Sequence, residues 1–147
     1  MTSNHPANEP VLSYAPGSEE REKLQMELRN QMETIIEIPC IINGEEIYTG
    51  NTVQQVLPHN HGHILANVHL AGKDEMEAAC ISAVNAQKNW IEIGLEERCA
   101  IFEKCADMLS GEWRMKINAS TMLNQSKTCF QAEIDSACEL IDFWRFN

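Results

Sequence analysis

A chain of 147 residues with 44% apolar residues is long enough to bury one ordinary hydrophobic core. Its 22 acidic residues against 11 basic ones give a net charge of −11, a balance that repels phosphate backbones and anionic bilayers and argues against nucleic acid or a membrane as a partner. No apolar run approaches the length of a membrane span.

Met1 to Gly17 is rich in Pro, Asn and Ser and reads as an extended arm. Met1 to Asn8 carries no arginine, so neither a secretory signal nor a mitochondrial presequence is expected there. Ser18 is a good N-cap, and Glu19 and Glu20 suit the positive end of a helix. Leu24, Leu28, Met32 and Ile35 then form one helical stripe, which Pro39 is expected to end. Ile38 to Ile42 and Glu45 to Thr49 flank Asn43-Gly44, a strong hairpin signal. A second strand pair, Thr52 to Leu57 and Ile64 to Leu70, is expected around a turn from Pro58 to Gly62.

From Asp74 the hydrophobic period changes from two to 3.6. Met76, Ala79, Cys80, Ala83 and Trp90 mark one helix, and Leu95, Cys99, Phe102, Cys105 and Leu109 mark another that Gly111 closes. Trp113, Ile117 and Ser120 begin a third, interrupted at Ser126-Lys127-Thr128. Phe130, Ile134, Ala137, Cys138, Ile141 and Trp144 mark the last. It runs to Asn147 without a stop signal, so the expectation is a polypeptide that continues further. These helices could form a bundle or cover one face of a sheet.

The six cysteines form no disulfide or zinc pattern, and four of them fall on apolar helix faces as small hydrophobes. His59, His61 and His63 alternate, as one face of a strand would require for a metal site. Asn60 and Gly62 favour a polar turn instead, and no metal is expected. Trp90, Trp113 and Trp144 read as core residues. Asp135, Glu139 and Asp142 share one helix face, which by itself is an acidic stripe open to water.

Several segments together resemble the start of an aldehyde dehydrogenase, in the branch that acts on Δ1-pyrroline-5-carboxylate, that is, on L-glutamate γ-semialdehyde. They are Asn8-Glu9-Pro10-Val11-Leu12 with Gly17-Ser18 and Glu20-Arg21; Ile38-Pro39-Cys40 with Gly44-Glu45-Glu46; Pro58-His59-Asn60-His61-Gly62-His63; Ala106 to Gly111; and Gln131 to Asp135 through Phe143 to Asn147. The family usually carries glycine where this chain has Asn124, and Gly-Lys where it has Ser126-Lys127, which puts the local loop geometry in question.

The resemblance implies an α/β parent fold with a Rossmann-like sheet, of which this chain would be an α+β N-terminal fragment. It implies an arm over 1–17, a helix with β-hairpins over 18–72, and over 73–147 the truncated helical start of the NAD-binding domain. The family chemistry uses NAD: a cysteine thiolate attacks the aldehyde, hydride passes to the nicotinamide, and a glutamate activates water. By the resemblance that cysteine, that glutamate and the cofactor loops lie beyond Asn147, so no catalytic or cofactor-binding residue is expected here and the fragment alone is expected to be inactive. The one site residue it assigns is Glu139, lining the substrate channel, where a carboxylate can hold the α-ammonium of the semialdehyde. It also implies a small-molecule aldehyde substrate, a homo-oligomeric parent and the mitochondrial matrix. A different class of function stays open beside it: a short, non-catalytic interaction protein that binds full-length dehydrogenase subunits.

Overall fold

The computed structural model describes Pro6 to Asn147, so the first five residues of the expected arm lie outside the described residues. The chain divides into two compact units, one running from Thr34 to Leu95 and the other joining the residues up to Glu33 with Glu96–Asn147. These follow a different line from the three segments read from the sequence, because the first helix packs with the last ones.

The Thr34–Leu95 unit holds the strands. β1 (Ile36–Ile38) pairs in parallel with β5 (Asn60–His69), and β4 (Thr52–Leu57) pairs antiparallel with β5 on its other side. β2 (Cys40–Ile42) and β3 (Glu45–Ile47) form a separate hairpin in the register Cys40 with Ile47 and Ile42 with Glu45. Asn43 and Gly44 both take positive φ, 55° and 79°, the pairing that a two-residue primed turn demands. Leu57, Leu65 and Ala66 are the buried side chains of this unit.

Two expectations are corrected here. The first helix does not run to Pro39; it ends at Glu33, and Ile36–Ile38 is strand β1. Its β-branched residues favour the strand, and the ladder to Ala66, Asn67 and Val68 supplies partners that a lone helix end lacks. The second turn is also tighter than Pro58 to Gly62. β5 already begins at Asn60, and Leu57 pairs with Asn60 across Pro58-His59. Register shifts on either side of Val56 absorb the mismatch. The same unit carries α2 (Lys73–Glu92), whose first turn is capped by the Glu75 carboxylate accepting from the Gly72 amide at 2.7 Å. No residue of α2 is buried, and Met76, Ile81, Val84 and Ile91 all stand exposed.

The other unit is helical: α1 (Glu19–Glu33), α3 (Leu95–Ser110), α4 (Arg114–Gln125), α5 (Cys129–Ala132) and α6 (Glu139–Phe146). A π-helical turn, Glu133–Cys138, joins α5 to α6 within one continuous rod. The single regular helix expected there is therefore corrected to a helix with one widened turn. One core cluster is Ala106, Leu109, Ala137 and Ile141, against which Ile117, Leu140 and Trp144 pack. Another gathers Tyr14, Leu24 and Ala119 with Leu12, Leu28 and Met115.

The tryptophans do not all serve as core. Trp144 packs against a cluster, but Trp90 and Trp113 are exposed, and Lys116 Nζ sits 4.5 Å from the Trp113 ring centroid. Cys80 and Cys99 are likewise exposed rather than packed; Cys138 is buried. Asn124 is helical and donates to the Ser120 carbonyl at 2.9 Å. The positive φ falls at Ser126 (52°) instead, the position at which the resemblance leads one to expect glycine.

Candidate functional site

The densest polar constellation of the helical unit is one that sequence reading missed. Glu133 is fully buried at the first position of the π-turn, facing Arg114 at the start of α4. An isolated carboxylate in that position would carry a large desolvation penalty. It is offset by five donor contacts. Oε1 accepts from the Leu12 amide at 2.7 Å and from Arg114 Nη2 at 2.5 Å. Oε2 accepts from the Tyr14 hydroxyl at 2.7 Å, from Asn118 Nδ2 at 2.8 Å and from Arg114 Nε at 3.3 Å.

Arg114 extends the network outward. Its Nη2 also donates to the Pro10 carbonyl at 2.7 Å, and its Nη1 pairs with Glu9 Oε1. The other Glu9 oxygen accepts from Arg145 Nη1 at 2.6 Å. Asp142 receives the arm as well, from Asn8 Nδ2 and from the Glu9 amide, each at 2.7 Å. So the expected extended arm is, from Asn8 to Tyr14, bolted to α4 and to both sides of the π-turn.

The electrostatics follow from this geometry. Burial alone would raise the Glu133 carboxyl pKa, but the hydrogen bonds from Arg114, Leu12 and Tyr14 outweigh it and hold the group below the usual carboxylate range. Burial would lower the Arg114 guanidinium, and Glu133 and Glu9 together more than reverse that. Burial and the hydrogen bond to Glu133 push Tyr14 up. Glu133 therefore contributes stability that is present above about pH 4.5, its ordinary value, and is lost as pH falls through its depressed folded value.

Cys138 lies beside this pair, with Arg114 Nη2 3.4 Å from its sulfur. Burial, then the Glu133 charge, push its thiol up to about 11, so it stays protonated and unreactive at neutral pH. Burial raises Cys129 too. Neither environment activates a nucleophile.

Glu139 is the first residue of α6 and is exposed, one residue past the π-turn. It shares its acidic face unevenly: Asp135 is paired with Lys127 Nζ at 2.7 Å and Asp142 is held by the arm. The stripe is thus not uniformly solvated. Thr128, beside Lys127, caps α5, accepting from the Gln131 amide at 3.3 Å. Among the described residues no group of three or more His, Cys, Asp or Glu could hold a metal ion, and no helix is long and apolar enough to cross a membrane.

Two cavities of the helical unit bear on ligand binding. One, of about 410 Å³, is apolar and lined by Cys105, Met108, Trp113, Ile117 and Trp144 among others. Another is bordered by Glu19, Glu20, Glu27 and Glu112. The first is mostly apolar with Lys116 and Ser120 among its lining, and the second sets four carboxylates beside Lys23, Arg114 and Lys116.

The sequence pattern of the aldehyde dehydrogenase family matches residues 47–147, and the chain belongs to that family. Within it, the chain is 47% identical over 142 residues to the Δ1-pyrroline-5-carboxylate dehydrogenase of Agaricus bisporus, covering 96% of this chain and 26% of that protein. It is 47% identical over 141 residues to the mitochondrial enzyme of the same name from Homo sapiens, covering 96% of this chain and 25% of that one. The crystal structure of the Mycobacterium tuberculosis Δ1-pyrroline-5-carboxylate dehydrogenase bound with NAD superposes with a TM-score of 0.93 at 45% identity, over 97% of this chain and 27% of that one. The chain thus spans about a quarter of the length of the relatives it matches.

Proposed function

We propose that this chain is the N-terminal part of an NAD-dependent dehydrogenase that oxidises L-glutamate γ-semialdehyde, formed from Δ1-pyrroline-5-carboxylate, to glutamate in proline breakdown. The observation that carries this reading is the 47% identity, over 96% of the chain, to enzymes named for that substrate. NAD, bound in the matching Mycobacterium structure, would supply the hydride acceptor. The cofactor loops are assigned to polypeptide outside these 147 residues on the resemblance to relatives about four times as long. The nucleophile is assigned there too on the same resemblance, and burial raises the pKa of Cys129 and Cys138. The 147 residues alone are then without activity. The mitochondrion is the proposed compartment, on the names of the human, rat and bovine relatives.

The chain's own contribution to substrate binding is Glu139. Its exposed carboxylate can hold the α-ammonium of the semialdehyde by a charge-assisted hydrogen bond. Such a contact is made in the ground state and kept in the transition state, so its loss appears mainly in KM. In the complete dehydrogenase, Glu139→Ala is expected to lower kcat/KM for the semialdehyde by roughly 10- to 100-fold, in line with one lost charged hydrogen bond. Steady-state kinetics check it, and an unchanged specificity constant would refute the assignment.

A further inference from the structure

The arm and the π-turn raise a question that the site reading leaves open: what fixes the direction of Glu139? A regular helix turns about 100° per residue, so a π-turn, which accommodates one extra residue, swings everything after it by about that angle. Glu139 is the first residue after the widened turn. Its heading depends on whether Glu133–Cys138 keeps the π form or relaxes to α.

Such a turn persists only where its surroundings hold it. The arm does so from both sides. At the first residue of the π-turn, Leu12 N and the Tyr14 hydroxyl grip the Glu133 carboxylate. After it, Asn8 and the Glu9 amide grip Asp142, and Glu9 pairs with Arg145. The lengths agree. Nine helical residues from Glu133 to Asp142 rise about 13 Å, and three extended residues from Glu9 to Leu12 span about 10 Å, leaving the remainder to the side chains. Tyr14 itself sits at φ 51°, a conformation that costs a non-glycine residue energy and is retained here with its ring buried and its hydroxyl bonded to Glu133 and Asn118.

We infer that the arm Asn8–Tyr14 acts as a splint across the π-turn, and that Tyr14, Arg114 and Glu133 are positioning residues that set the direction of Glu139. This rests on the reading of Glu139 as the substrate-binding carboxylate. None of the three touches substrate; each acts through the rod.

The test is a double-mutant cycle in the complete dehydrogenase, with Tyr14→Phe, Glu139→Ala and the double variant. Substrates are glutamate γ-semialdehyde and an aldehyde without an α-ammonium, such as propanal. Tyr14→Phe removes one hydroxyl and keeps the ring. It is expected to raise KM for the semialdehyde about three- to tenfold with kcat within about twofold, and to leave KM for propanal unchanged. In the Glu139→Ala background it should add less than about a twofold further change. Asn8→Ala, at the far and milder end of the splint, should move KM the same way. An effect of Tyr14→Phe that multiplies independently with Glu139→Ala, that strikes both substrates equally, or that is absent, overturns the splint. An unchanged KM in Glu139→Ala alone instead overturns the site reading beneath it, so the two failures are distinct.

Discussion

Arg114→Ala is expected to destabilise the helical unit by about 3–5 kcal/mol, the range for removing one partner of a buried ion pair. The size follows from what is left behind. Arg114 is 3% exposed and Glu133 is fully buried, so water cannot replace the guanidinium without opening the unit. Glu133 would keep the Leu12 amide, the Tyr14 hydroxyl and Asn118 but lose the buried counter-charge of Arg114. Glu9 would lose a partner in the same step, and the Pro10 carbonyl a donor. The double variant Arg114→Met with Glu133→Leu should cost less than Arg114→Ala, because it removes both charges and keeps the volume, with the remaining loss set by the Leu12 amide and Asn118 left without their acceptor. Denaturation midpoints of the complete protein, with amide exchange read in α4 and α5, check both. An Arg114→Ala loss below about 1 kcal/mol would mean that the pair is solvated and worth no more than a surface bridge.

Ile141→Ala should be comparably severe, at about 2–5 kcal/mol. Ile141 is fully buried among Ala106, Leu109 and Ala137, with Leu140 and Trp144 against the cluster. Two of the buried neighbours are alanines, which have no side chain to swing into the space. The rod is also pinned at Glu133 and Asp142, so it cannot slide inward to close the gap. Both features place the variant in the upper half of that range. Ile141→Val, one methylene smaller, should cost about 0.5–1.5 kcal/mol. The same denaturation measurement decides. Equal losses for Val and Ala would show that the δ-methyl alone carries the packing there, since valine keeps the branched β-carbon and loses only that group.

What could be seen in the sequence was local. Asn43-Gly44 names its turn because only a few residue types accept positive φ at adjacent positions. The strand Thr52 to Leu57 and the helices from Lys73 onward announce themselves by period. The end of α1 was not visible, since Ile36–Ile38 becomes a strand only through its ladder to Ala66–Val68, thirty residues away. The polar network was hidden for the same reason. Tyr14 and Glu133 lie 119 residues apart, and Arg114 reaches the arm across 104. A signal did exist. Glu133 falls three residues from Phe130 and four from Ala137, on the edge of an apolar stripe, and Arg114 falls three before Ile117 on another. Opposite charges at core-edge positions of two neighbouring helices are candidates for a buried pair. The π-turn left no such mark, because one extra residue disturbs a short stripe too little to be noticed.

The apolar side chains left uncovered fit the same account. Met76, Ile81, Val84 and Ile91 on α2, and separately Phe130, Phe143 and Phe146 in the helical unit, stand exposed in a chain a quarter as long as its relatives. In the proposed dehydrogenase they meet the remainder of the subunit. The decisive measurement is NADH formation, followed at 340 nm, by the complete polypeptide that carries this chain, supplied with NAD and either glutamate γ-semialdehyde or simple aliphatic aldehydes. Turnover with a specificity constant clearly highest for glutamate γ-semialdehyde is the predicted result. Brisk oxidation of simple aldehydes with none of the semialdehyde would contradict it.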